Sequence, residues 1–155
     1  MIPAKLQFTL LKAWHAWLAG GFAVAWATAD ETTYPMHQFS GHAVLAAIVL
    51  RLLIGSMAPK GSPWRLPRPK LSFPSRGRNP LLAWFAAALL GLVGLAAQLG
   101  ALADGLTWLE DPHEALSTAA LWLIAGHAGL VFLLFGGKRL LARLFPPSPV
   151  TEKSP

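Results

Sequence analysis

An all-α, four-helix transmembrane bundle, antiparallel and up-down with both termini cytoplasmic, is the fold class this sequence predicts. Three observations carry the prediction. The first is composition. Of 155 residues, 54% are hydrophobic and 13% charged, and the charges stand outside long apolar stretches, as in integral membrane proteins. The second is segment length. Four apolar segments, at about 10–29, 39–58, 80–101 and 113–135, each hold the ~20 residues a helix needs to cross a hydrocarbon core about 30 Å thick. The third is charge asymmetry. With the N-terminus inside, all thirteen Lys and Arg fall on inner ends and loops, while Asp30, Glu31, Asp104, Glu110, Asp111 and Glu114 fall outside and Glu152 alone among the acids does not. Orientation follows Lys and Arg, not net charge.

The first helix is expected to end near Asp30-Glu31, with a short outer turn over Thr32-Thr33-Tyr34-Pro35. Pro35 stops one helix and is tolerated in the first turn of the next. Lys5 and Lys12, an apolar run and Ala27-Thr28-Ala29 resemble a secretory signal, but the run is too long and carries Trp14, His15 and Trp17. The second helix runs to Ala58-Pro59. Residues 60–79, rich in Pro, Arg and Lys, read as an inner loop held at anionic headgroups. Asn79-Pro80 opens the third helix as a cap residue and a first-turn proline. Gly91, Gly94 and Ala97 then allow close packing. Residues 103–112 form the outer loop, and the fourth helix starts at His113-Glu114 and stops at Gly136-Gly137. Residues 138–145 read as a short amphipathic stretch on the inner surface. The membrane domain is thus 1–145, with a disordered tail over 146–155.

The net charge of +6 is accounted for by topology. No basic surface interleaved with aromatics is present, so nucleic acid is not expected as a partner.

The histidines carry the chemistry. Ionisable groups inside a membrane are costly and face one another or a cofactor. His37 and His113 stand beside outer loops; His15 lies 15 residues inward of Asp30, and His127 lies 14 inward of His113. Fourteen helical residues advance about 21 Å and return within roughly 40° of the same face. One helix therefore offers an outer and an inner ligand, and His37 and His15 supply partners at the two levels. Two depth-matched pairs fit the bis-histidine axial ligation of two stacked, non-covalent b-type haems, with no open position left for oxygen chemistry. Zinc needs ligands converging on one point. With no cysteine in the chain, cysteine-ligated iron–sulfur clusters and covalent haem attachment are excluded. A single histidine of this kind is more often a packed residue bonding a neighbour's carbonyl; the set of four is what points to a cofactor.

Arg51, 14 residues after His37, shares its face at the inner level. It is a candidate partner for a haem propionate, with snorkelling to the interface as the equal alternative. His42, about 140° around the helix from His37, is read as a packing or hydrogen-bonding residue, with an alternative ligand or haem-edge contact as the lesser reading. Gly41 and Gly126 are read as openings for a flat macrocycle. Trp14, Trp17, Trp26 and Trp122 are read as interfacial belt or core packing.

Several runs resemble one family: Trp14-His15-Ala16-Trp17; His37-Gln38-Phe39-Ser40-Gly41 leading to Leu50-Arg51-Leu52-Leu53-Ile54-Gly55; Arg76-Gly77-Arg78-Asn79-Pro80; and His113-Glu114-Ala115-Leu116 followed by Gly126-His127. The chain resembles the bacterial cytochrome b561 family, which is related to the b-type cytochrome subunits of nickel–iron hydrogenases. The resemblance covers about 10–135. Family members often carry a histidine where Arg78 stands, and a tyrosine or other residue where His42 stands.

The resemblance implies a four-helix diheme cytochrome, with His15 and His127 holding the inner haem iron and His37 and His113 the outer. The expected function is electron transport within or across the bacterial inner membrane, between a periplasmic redox partner (a cytochrome c or a hydrogenase-like subunit) and the quinone pool, with quinone a candidate further ligand. The alternatives are a self-contained quinone oxidoreductase with a small diffusible donor, and a haem-free helical membrane accessory protein. They separate on haem content and on quinone turnover by the isolated protein.

Overall fold

Proline and side-chain competition for backbone groups set where the helices of this chain start and stop. A computed structural model describes residues 3–67 and 80–136. Its long elements are four helices, α1 (Ala4–Ala27), α2 (Tyr34–Met57), α3 (Pro80–Ala103) and α4 (Glu110–Val131). The expectations placed on 68–79, 138–145 and 146–155 lie outside the described residues.

Each helix with a histidine starts earlier than the apolar pattern suggested, because hydropathy marks a membrane span while a helix runs on until something breaks it. α1 begins immediately after Pro3. Its last turn is closed by Thr28, whose backbone N–H and hydroxyl both donate to the Val24 carbonyl, at 3.0 and 2.6 Å. The Asp30 carboxylate then takes the backbone N–H groups of Thr32 and Thr33, at 2.9 and 3.1 Å, a local bond that turns the chain. α2 follows at once, with Pro35 in its first turn. It ends where Pro59 holds Ala58 extended, at ψ 133°. A short 3-10 turn, Thr107–Leu109, leads into α4, whose first turn holds Glu110 and Asp111, acids that suit a helix N-terminus. His37 and His113 therefore stand inside the first turns of α2 and α4, not beside them. After Val131 the helix widens into a π turn over Phe132–Gly136.

Successive helices pack on one another: α1 on α2, α2 on α3, α3 on α4. The registers fall in opposite senses. Trp14 meets Ala47 while Ala25 meets His37. Gly94 approaches Ile48 while Asp104 meets Gln38. Phe85 meets His127 while Ala96 meets His113. Ser62 donates to Gln7 at 3.0 Å, which ties the segment after α2 to the start of α1.

The core is small: Val44 and Ile48 of α2, Val93 and Ala97 of α3, and Ala120 of α4, with Leu18, Phe22 and Ile124 against it. Gly94 brings α3 close, since a Cβ there would sit 3.3 Å from Ile48 Cγ2. Large apolar side chains face outward instead, among them Trp17, Trp122, Phe39, Leu53 and Leu133. Three helical segments, Tyr34–Met57, Leu81–Ala103 and Thr107–Gly136, are long and apolar enough to cross a membrane. α1 is as long as α2 but is not among them; Lys5, Lys12, His15 and three tryptophans lower its hydropathy.

Candidate histidine sites

The backbones of α1 and α4 do not pack closely, nor do those of α2 and α4; histidines meet across both gaps. His37 of α2 and His113 of α4 have ring centres 6.0 Å apart, with planes at 75°. His15 of α1 and His127 of α4 have ring centres 6.3 Å apart, with planes at 56°. All four sequence-predicted histidines are thus brought together, in the pairs expected. One metal atom held at about 2 Å by a nitrogen of each ring separates two imidazole centres by about 6 Å, once each ring's half-width is included. Among the described residues, no group of three or more His, Cys, Asp or Glu gathers around a metal-sized point.

At the His37–His113 pair the ring orientation is built by backbone carbonyls. His37 Nδ1 lies 2.7 Å from the Ala25 carbonyl, and His113 Nδ1 lies 2.8 Å from the Ala96 carbonyl. A carbonyl only accepts, so Nδ1 carries the proton and donates in both rings. In the neutral form of each ring this tautomer puts the lone pair on Nε2, the state a metal ligand requires. Ala25 has a carbonyl to offer because α1 ends two residues later, and the last carbonyls of a helix have no partner within it. Tyr34 stacks on His37, with centres 5.8 Å apart and planes at 15°.

A cavity of about 790 Å³ opens beside this pair, lined by His37, His113, Phe22, Gly41, Val93 and Gly100 among others. Its volume lies in the range of small-molecule and cofactor sites, and two imidazole rings line it. The residues present therefore fit a haem held by His37 and His113. His42 lines the same cavity, although helix phase turns it away from His37; the cavity is wide enough to reach it. Its Nδ1 donates to the Gln38 carbonyl at 2.7 Å. A Cβ at Gly41 would meet nothing within 4 Å, whereas one at Gly126 would lie 3.6 Å from Phe85 Cε1.

Asp104 closes the rim. Tyr34 Oη and Gln38 Nε2 donate to its Oδ1 at 3.0 and 2.9 Å. The Gln38 and Tyr34 bonds hold its carboxyl below the usual value.

The His15–His127 pair is built differently. Phe85 lies against His127 with ring centres 5.9 Å apart, and Trp14 stacks on His15 at 6.5 Å. His127 Nδ1 is buried and has no hydrogen-bond partner among the described residues.

Arg51 is 6% exposed and its guanidinium is directed at the segment after α2. It donates to the Trp64 carbonyl and, at 3.4 Å, to the Arg65 carbonyl. The rings of Trp14 and Trp64 each lie 5.6 Å from its central carbon. Its visible partners are thus those of a loop clamp, not of an acidic group.

Sequence reasoning missed four contributors: Gly100 behind His113, Gly55 beside Arg51, Trp64, and the Tyr34–Gln38–Asp104 rim. Gly100 and Gly55 had a signal of the kind given to Gly91 and Gly94, since glycine inside a helix costs stability and calls for a packing reason. Compared with known protein families, curated proteins and solved structures, the chain matches none.

Proposed function

We propose that the chain is a diheme b-type cytochrome of the bacterial cytochrome b561 kind, embedded by four membrane-crossing helices with both termini on the cytoplasmic side of the inner membrane. On this reading His37 and His113 hold the outer haem, His15 and His127 the inner. A b-type haem held by two histidines would supply a one-electron redox centre there.

The observation that carries the reading is the spacing of the two pairs. Ring centres 6.0 and 6.3 Å apart leave room for one shared atom in each pair. On α4 the levels lie 14 residues, or about 21 Å, apart. The chain's own residues hold and orient the ligands: carbonyls of Ala25 and Ala96 set the outer tautomers, and the rings of Phe85 and Trp14 lie against His127 and His15. Asp104, Glu110 and Glu114 line the outer cavity and give its rim a negative character suited to a basic periplasmic electron-transfer protein. Electrons would pass between that protein and the quinone pool.

The test is a reduced-minus-oxidised absorbance spectrum of protein purified from haem-replete membranes, with pyridine haemochrome quantitation. Two b haems per chain are expected. Protein that purifies folded, binds no haem and fails to take it up on reconstitution would overturn the reading in favour of a haem-free helical protein.

A further inference from the structure

Gly100 of α3 stands against the His113 ring with no side chain between them. A Cβ built on it would lie 2.7 Å from His113 Cε1, 3.0 Å from Nδ1 and 3.2 Å from Nε2, closer than real side chains tolerate. The place of this glycine has a specific consequence. A helical side chain covers the turn N-terminal to its own Cα, so residue 100 would cover the carbonyl of residue 96. With glycine there the Ala96 carbonyl, which already takes the Gly100 N–H within α3, is open to a second donor, and the His113 ring enters to donate to it at 2.8 Å. His37 receives its own carbonyl from the end of α1. Both outer rings therefore donate through Nδ1, whereas His127 of the inner pair has a buried Nδ1 with no partner among the described residues.

This asymmetry has an electronic sign. An imidazole that donates its second N–H to a carbonyl becomes the more basic ligand through its other nitrogen. A more basic ligand favours the oxidised, electron-poor state of a bound metal and lowers its potential. The apolar ring of Phe85 against His127 acts in the same sense, since low polarity disfavours the more charged oxidised state.

Resting on the diheme reading, we infer that Gly100 is a positioning residue for His113. By leaving the Ala96 carbonyl open to a second donor it fixes the His113 tautomer and makes the outer site the lower-potential of the two. Electrons entering at the outer site then run downhill to the inner one.

The experiment is a spectroelectrochemical titration of the purified holoprotein beside Gly100→Ala, Gly91→Ala, His113→Ala and His127→Ala. Gly91 is on the same helix, and a Cβ there would meet nothing within 4 Å, so it controls for the change in helix propensity. The wild type should titrate in two steps, and His113→Ala should remove the lower one. Gly100→Ala should move the lower midpoint upward, or weaken haem retention at that site by about 10- to 100-fold, with the inner step unchanged. Gly91→Ala should do neither. A His113→Ala protein that keeps the lower-potential step would overturn the ordering even if Gly100→Ala does not fold. Two-haem Gly100→Ala protein with wild-type midpoints and retention would overturn the role of Gly100. Absence of haem from the wild type is a separate result, and removes the diheme reading itself.

Discussion

Replacing Arg51 by methionine keeps most of the side-chain volume and removes the charged clamp on the segment after α2. Three contributions are lost. The bond to the Trp64 carbonyl is charge-assisted, and such bonds contribute about 1.5–3 kcal/mol. The bond to the Arg65 carbonyl, at 3.4 Å, is long and adds less. The flanking indoles, each 5.6 Å from the guanidinium carbon, add at least about 0.5–1 kcal/mol apiece. The freed carbonyls sit on a non-helical segment that can open to solvent, which offsets part of the loss. The net effect is local and about 2–3 kcal/mol, on the scale that one lost charge-assisted bond sets. At 1.4 kcal/mol per tenfold, that raises the opening equilibrium of this segment by about 30- to 150-fold. Hydrogen exchange read by mass spectrometry on peptides covering 59–67 measures it directly, because exchange under these conditions reports the local opening equilibrium. Arg51→Lys should fall between the two, since one ammonium cannot match a planar fork between two rings. Protection of 59–67 within twofold of wild type in Arg51→Met would refute the clamp. Haem loss in that protein with the segment still protected would assign Arg51 to a propionate instead.

Gly55→Ala should loosen the same segment, because its Cβ would meet Arg51 Nη1 at 2.6 Å and Leu66 Cδ2 at 2.7 Å; overpacking of this kind costs about 1–3 kcal/mol. Gly20→Ala meets nothing within 4 Å and should instead raise the thermal midpoint in detergent, by up to about 1 kcal/mol of helix propensity. Trp14→Phe deletes the indole donor to the Ala47 carbonyl at 3.0 Å and should destabilise the α1–α2 pair by about 1 kcal/mol in denaturant titration. The folded-state pKa of Asp104 is depressed below 3.8, so its contribution is fully present above that value and is lost as pH falls through the folded value. Thermal scans from neutral pH down to pH 3 should show a shallower acid-side loss in Asp104→Asn than in wild type.

The histidine pairs were legible in the sequence because helix phase and rise act within one segment: 14 residues on α4 fix both the face and the level of His113 and His127. The helix starts were less legible. Apolar runs locate a membrane span, but Tyr34-Pro35 and Glu110-Asp111-Pro112 are good first-turn residues, so α2 and α4 begin before their apolar stretches do. What supports the ligands was hidden for a different reason. Gly100 and Ala96 meet His113 across a helix pair, and the register that joins them depends on packing, which no single-segment pattern states. Arg51 shows the same limit. Its level and face were readable from His37, but its partners come from Trp64 and Arg65, in a segment whose path hydropathy does not describe.

The most direct measurement is haem stoichiometry across histidine double substitutions. His37→Ala/His113→Ala and His15→Ala/His127→Ala should each leave one haem per chain, with different spectra and midpoints, because each removes both ligands of one site. His113→Ala/His127→Ala, which removes one ligand from each, should leave no stable bis-histidine haem. One normally ligated haem surviving in that last protein, or none in the first two, would contradict the layered pairing.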